Sequence, residues 1–142
     1  SCLGCDETGE IVNINADSVA EALARSLGAE QLVIVTDIEG LLRDVNSPSS
    51  LVSYTDIDEI ERLKRTGQIS GGMLPKLDAC ILALKGGVRR THIINGAKPG
   101  ALLREIFTNA GCGTMIVERC ERSERQNYQK VELTQELKVL ST

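Results

Sequence analysis

Three short apolar runs, at residues 32–35, 92–94 and 114–117, restrict the folds open to this chain more than any other feature. The first is bounded by polar residues, and the segments between the runs repeat their apolar residues with helical spacing. The run 32–35 is continuous, the pattern of a strand buried on both faces. Strands alternating with helices predict an α/β fold, a three-layer αβα sandwich around a mainly parallel sheet. Residues 17–27 read as a helix with Val19, Leu23 and Leu27 on one face, Asn15 as N-cap and Gly28 as its end. A second helix starts from Thr55 as cap and turns Ile57, Ile60 and Leu63 inward until Gly67. After Pro75, expected at the first helical position, Leu77, Cys80, Ile81 and Leu84 form one face and Gly86 is the terminator. Residues 101–108 form a short helix showing Leu102, Leu103, Ile106 and Phe107. Residues 1–15 read as two strands around a turn at 6–9, and 46–50 as an exposed loop.

At 142 residues the chain is one ordinary domain, or a piece of a larger one. Its 16 basic and 20 acidic residues leave a net charge of −4, and aromatics are only 2%. Both argue against non-specific nucleic-acid binding, which needs positive charge and stacking rings. No apolar run approaches membrane-spanning length, so the expectation is a soluble, cytoplasmic protein. Cys2 and Cys5 have zinc-ribbon spacing, but no second such pair follows and His92 is the single histidine. Reduced, mostly structural cysteines are the alternative to a zinc site. From Glu118 onward the chain is densely charged, with a weak apolar stripe of Leu133, Leu137 and Leu140 near its end. The division is therefore a folded lobe, 1–117, and a charged tail, 118–142, solvated or partly helical.

The segment 71–76 carries chemistry. Gly71 and Gly72 free the backbone, Pro75 starts a helix, and Lys76 lies in its first turn. A cation there opposes the helix macrodipole by roughly 0.3–1 kcal/mol. A ligand anion between the free amides and the ammonium removes that conflict. The alternative is a glycine turn whose lysine points into water. In open α/β sheets ligands lie beyond the carboxyl ends of the strands. The turn at 36–40, the loop after Gly67 and the strand exit at Asn95 and Gly96 are expected to converge there. Asn13, Asn15 and Asp17 add two amides and a carboxylate at a strand-to-helix junction, either to grip a polar ligand or to cap the helix.

In combination, residues 13–17, 27–29, 36–42, 67–76, 92–96 and 111–116 resemble the acetylglutamate kinases of the amino acid kinase superfamily, in order and spacing. The resemblance covers about 1–117 and implies the C-terminal, nucleotide-binding lobe. It implies transfer of the γ-phosphoryl of ATP to the side-chain carboxylate of N-acetyl-L-glutamate, in arginine biosynthesis. By resemblance Asn13 and Asn15 contact the acetylated substrate, and Lys76 stabilises the phosphoryl group in flight. Thr36, Asp37, Ile38, Glu39, Gly40, Leu41 and Leu42, with Gln68, Ile69, Ser70, Gly71 and Gly72, would line the nucleotide. Mg²⁺ would arrive through the phosphates, with no protein metal site. Phosphoryl transfer is mainly positioning and electrostatic stabilisation, which suits these residue types. A carboxylate acceptor, with a pKa near ~4.3, is already ionised and needs no general base, so Asp17 is read as orienting lysines.

The family's enzymes are about twice as long, and the half carrying a glycine-rich loop, a second lysine and most of the acyl-amino-acid pocket is expected elsewhere. The isolated chain is therefore expected to have little or no kinase activity, even if it binds nucleotide. That missing half, or a partner chain supplying it, and a homo-oligomer in the full enzyme are the expected partners. Asn95 stands where many relatives have Asp, and Ala97 where Arg is usual. The rival readings are a related kinase with another acceptor, such as acetylaminoadipate, and a non-catalytic nucleotide-binding fragment.

Overall fold

The computed structural model describes residues 3–44, 46–69, 71–108 and 111–120. Ser70 and the tail beyond 120, with its expected helix, lie outside the described residues.

The chain opens with an antiparallel hairpin, β1 (Leu3–Cys5) and β2 (Ile11–Asn13), around a turn. Asp6 Oδ1 accepts from the N–H groups of Thr8 and Glu10 there, each at 2.9 Å. Helix α1 (Ala16–Ser26) follows, then β3 (Gln31–Thr36), a 3₁₀ turn (Pro48–Ser50) and β4 (Tyr54–Asp56). Helices α2 (Ile57–Arg65) and α3 (Met73–Lys85) lead to β5 (Arg90–Asn95), α4 (Ala101–Phe107) and β6 (Thr114–Val117). The main sheet has the order β3-β5-β6-β4. β3 runs parallel to β5 and β4 parallel to β6, whereas β5 and β6 are antiparallel. Alternation along β5 sends Thr91 towards α3 and His92 towards α4, so helices cover both faces, as expected. No helix among the described residues is long and apolar enough to cross a membrane.

The core is aliphatic and centres on α3. Leu77, Cys80, Ile81 and Leu84 are all buried, as are Ile57, Ile60 and Leu63 of α2. Gly86 ends α3 as its C-cap, also as expected.

Four local expectations are corrected. Helix α3 starts at Met73, so Pro75 is its third residue, still within the first turn where no intrahelical N–H partner is lost. Asp56, not Thr55, caps α2, its carboxylate accepting the Glu59 N–H at 2.9 Å, while Thr55 is buried in β4. β3 buries Leu32 and Ile34, but Val35, on the opposite face of this edge strand, is exposed.

The largest correction concerns α1. Val19, Leu23 and Leu27 turn outward, and the helix buries Ala24 and Glu21 instead. Asp17 meets Lys76 at one end and Arg25 lies across Gly86 at the other, so α1 and α3 run side by side. On α3 the facing stripe carries Ala79 and Ala83, and on α1 it carries Ala20 and Ala24. Small residues on both helices let the backbones approach closely. The Glu21 carboxylate goes inward because Arg25 Nη1 donates to it at 2.8 Å.

Candidate functional site

Beyond β3, residues 36–42 cross the carboxyl end of the sheet as a turn. Gly40 makes the bend at φ 135°, a conformation that side-chain-bearing residues rarely adopt. A Cβ at Gly40 would stand 2.6 Å from Thr114 Oγ1. Neighbouring strands fix the turn. Thr36 O accepts the Gly96 N–H at 2.8 Å, and the Leu41 N–H donates to the buried Thr114 Oγ1 at 2.8 Å. Glu39 turns away to the β5 exit, where Asn95 Nδ2 donates to its Oε1 at 3.2 Å and Lys98 pairs with Oε2. The Lys98 ammonium, helped by Asn95, holds the Glu39 carboxyl below the usual carboxylate range against the opposing effect of burial.

The turn faces the start of α3 across a cavity of about 290 Å³. Thr36, Asp37, Ile38, Gly40, Leu41 and Leu42 form one wall; Gln68, Ile69, Gly72, Met73 and Lys76 form the other. Gly72 caps α3 without a side-chain hydrogen bond, and within the first turn of this 13-residue helix the Leu74 N–H donates to Gly71 O at 3.3 Å. Lys76 Nζ sits 3.2 and 3.4 Å from the two oxygens of Asp17. Asp17 is in the first turn of α1, where Asn15 Oδ1 accepts its N–H at 2.8 Å. Aliphatic walls, a few polar groups and a cation beside a helix start that has no side-chain cap suit a molecule with a flat apolar part and an anionic end.

Most of the residues expected to line a nucleotide thus share one cavity. Glu39 and Gly71 stand off its wall, and Ser70 is not described. Asn13 and Asn15 are exposed on the hairpin side. Asn15 acts as a helix cap and reaches the cavity only through Asp17 and Lys76. The strand exit at Asn95 and Gly96 supports the turn rather than lining the cavity. Sequence reasoning missed Met73, whose only signal was an apolar residue between the glycines and the lysine.

It also missed a second polar centre. Glu105 of α4 is buried, its Oε1 2.8 Å from His92 Nδ1, while Oε2 accepts the N–H groups of Cys112 at 2.7 Å and Gly113 at 2.9 Å. Burial pushes its carboxyl up, but the His92 bond and the two amides outweigh that and hold it below the ordinary range. A charge on a short helix reads in sequence as a solvated position, so nothing pointed to it. Among the cysteines, buried Cys80 has its thiol pushed up to about 11 by desolvation, which leaves it unreactive.

A strand-turn wall thus faces a glycine-led helix across the carboxyl end of the sheet, and comparison with known proteins shows the family to which this fold belongs. Residues 1–95 match the amino acid kinase family, and the chain belongs to that family. Among its relatives, the acetylglutamate kinase of Heliobacterium modesticaldum is 52% identical over 116 residues, 82% of this chain and 39% of that protein. The acetylglutamate kinase of Thermosynechococcus vestitus is 49% identical over 117 residues, 82% of this chain and 40% of that protein. The chain thus spans about two-fifths of the length of these curated relatives. Among solved structures, N-acetylglutamate synthase from Neisseria gonorrhoeae, complexed with coenzyme A and L-arginine, is 32% identical with a TM-score of 0.73. That match covers 84% of this chain and 27% of that one. Carbamate kinase from Giardia lamblia bound to AMP-PNP is 25% identical with a TM-score of 0.60, over 79% of this chain and 36% of that one.

Proposed function

We propose that this chain is the nucleotide-binding, C-terminal part of a cytoplasmic acetylglutamate kinase. The enzyme would transfer the γ-phosphoryl of ATP to the side-chain carboxylate of N-acetyl-L-glutamate. The observation that carries the reading is the cavity between the 36–42 turn and α3, with Lys76 and a helix start that has no side-chain cap at one end. The base and ribose lie against Ile38, Leu41, Leu42 and Met73, and the phosphates reach the α3 amides and Lys76. Lys76 holds negative charge as it develops on the transferring group, and Asp17 keeps the ammonium aimed. Magnesium bound through the phosphates supplies further neutralisation. The acceptor carboxylate attacks without surrendering a proton, so no general base is needed. Asn13 and Asn15 stand on the acceptor side, Asn15 with its Oδ1 already committed to the helix and its Nδ2 left for the acyl substrate. A segment completing the relatives' length would supply the rest of the acyl-amino-acid pocket, in a homo-oligomeric enzyme.

Thermal unfolding of the 142-residue chain in rising MgATP tests the nucleotide reading. Ligand at about 100 times Kd adds roughly 2.7 kcal/mol, so a saturable rise in Tm is expected. No shift at millimolar MgATP would reject it. The acceptor is tested separately in a protein of the relatives' full length, with N-acetyl-L-glutamate against N-acetyl-2-aminoadipate. Preference for the longer acid would move the assignment to a related kinase.

A further inference from the structure

The turn that walls the cavity bends at a glycine, and both neighbours of that glycine are tied down by other parts of the fold. On one side the Leu41 N–H is bonded to Thr114 of β6. On the other, Glu39 spends both carboxylate oxygens on the β5 exit, Oε1 on Asn95 and Oε2 on Lys98. Asn95 is buried, and its Oδ1 accepts the Ala97 N–H at 2.9 Å. The same amide therefore shapes the loop that carries Lys98 and grips Glu39. Its orientation is fixed by having one donor and one acceptor to satisfy. None of the three residues lines the cavity.

We propose that Glu39, Asn95 and Lys98 form a clamp that positions the 36–42 turn and so sets the cavity's affinity for nucleotide without touching it. The inference rests on the cavity being the nucleotide site. Gly40 costs little to rotate, so a turn released at Glu39 samples conformations in which the wall is not assembled. A ligand that binds only the assembled wall then has its apparent Kd raised in inverse proportion to the assembled fraction. Asn95→Asp tests this almost isosterically, since it replaces a donor to Glu39 with a second carboxylate. Lys98→Met removes the other partner from a half-exposed position with little risk to folding.

Two measurements on the 142-residue chain decide it: calorimetric Kd for MgATP, and hydrogen exchange of the amides at 37–41 without ligand. Each variant is expected to weaken MgATP roughly three- to tenfold and to speed exchange within the turn, with global Tm nearly unchanged in Lys98→Met. Exchanging the charges, Glu39→Lys with Lys98→Glu, should recover part of the affinity. Unchanged Kd and exchange in Lys98→Met, with MgATP still bound by the parent chain, overturns the clamp and leaves the nucleotide reading intact. So does affinity lost only in step with global unfolding. Faster exchange at 37–41 in a chain that binds no MgATP supports the clamp's hold on the turn and rejects the nucleotide reading.

Discussion

Two of the acid–base pairs that join separate elements of this fold are built in opposite ways. Lys76 and Asp17 meet at 3.2 Å at the edge of the cavity, with side chains still 23% and 19% exposed. His92 and Glu105 meet at 2.8 Å with side chains 5% and 3% exposed, and two backbone amides take the remaining carboxylate oxygen. Water-accessible pairs contribute little to stability, because solvent screens them and competes for them. A buried carboxylate is tolerated only when its hydrogen-bonding capacity is filled. The saturated carboxylate of Glu105 belongs to the architecture, whereas the accessible ammonium of Lys76 lines the cavity. An ammonium has three donors, and Asp17 leaves room for a phosphate oxygen on Lys76.

The sharpest way to break that contrast is to remove the saturated carboxylate. Glu105→Ala strands His92 Nδ1 and the N–H groups of Cys112 and Gly113 inside the protein. Losing one partner of a buried charged network costs about 3–5 kcal/mol, read as a lower urea midpoint at pH 7. A loss under ~1 kcal/mol would make the two pairs equivalent and the distinction empty. Acid titration adds a signed version. The folded Glu105 carboxyl is held below its ordinary value of 4.5, so the unfolded chain binds the proton more readily. Its contribution is complete above about pH 4.5 and is lost as pH falls through the lower folded value. Glu105→Gln should flatten that acid limb of the stability curve.

Thr114→Val probes the ground between the two pairs. Thr114 follows Gly113, one of the Glu105 donors, yet its hydroxyl accepts the Leu41 N–H from the cavity wall. Valine keeps the shape and removes the acceptor. A buried amide without a partner costs about 1–3 kcal/mol. The measured loss should come with faster exchange at the Leu41 amide and weaker MgATP binding. Loss of stability with an unchanged turn would confine Thr114 to the architectural side.

How much of this could be read in the sequence follows from the range of the forces involved. The faces of α2 and α3 were legible because Ile60, Leu77 and Ile81 each follow helical spacing and enter one aliphatic core. Most of the cavity wall was legible too, since 36–42 and 67–76 are contiguous segments whose turn and helix-start signals are local. The face of α1 was not. Hydrophobicity favours Leu23 over Ala24, but a close helix pair selects by size, and that requirement is set by Ala79 and Ala83 some 60 residues away. The Glu39–Lys98 and His92–Glu105 pairs failed for the same reason. A charged residue carries no mark of its partner until the sheet places two strand exits side by side.

The smallest effect on stability is expected at the accessible pair, where the largest effect on function should lie. Lys76→Met and Asp17→Asn should each change unfolding free energy by no more than about 1 kcal/mol, because water can replace the lost partner. Lys76→Met should still weaken MgATP roughly tenfold, since a charge-assisted contact to phosphate has no substitute in a cavity walled by Ile38, Leu41 and Met73. Asp17→Asn separates aiming from proton transfer. In a protein of the relatives' full length, an orienting Asp17 predicts a lower kcat with no new acidic limb in the pH profile. The acceptor is ionised throughout, so nothing in the step waits on a proton. A loss confined to KM would instead place Asp17 in ground-state binding, and Lys76 would then have to find its aim from the helix alone.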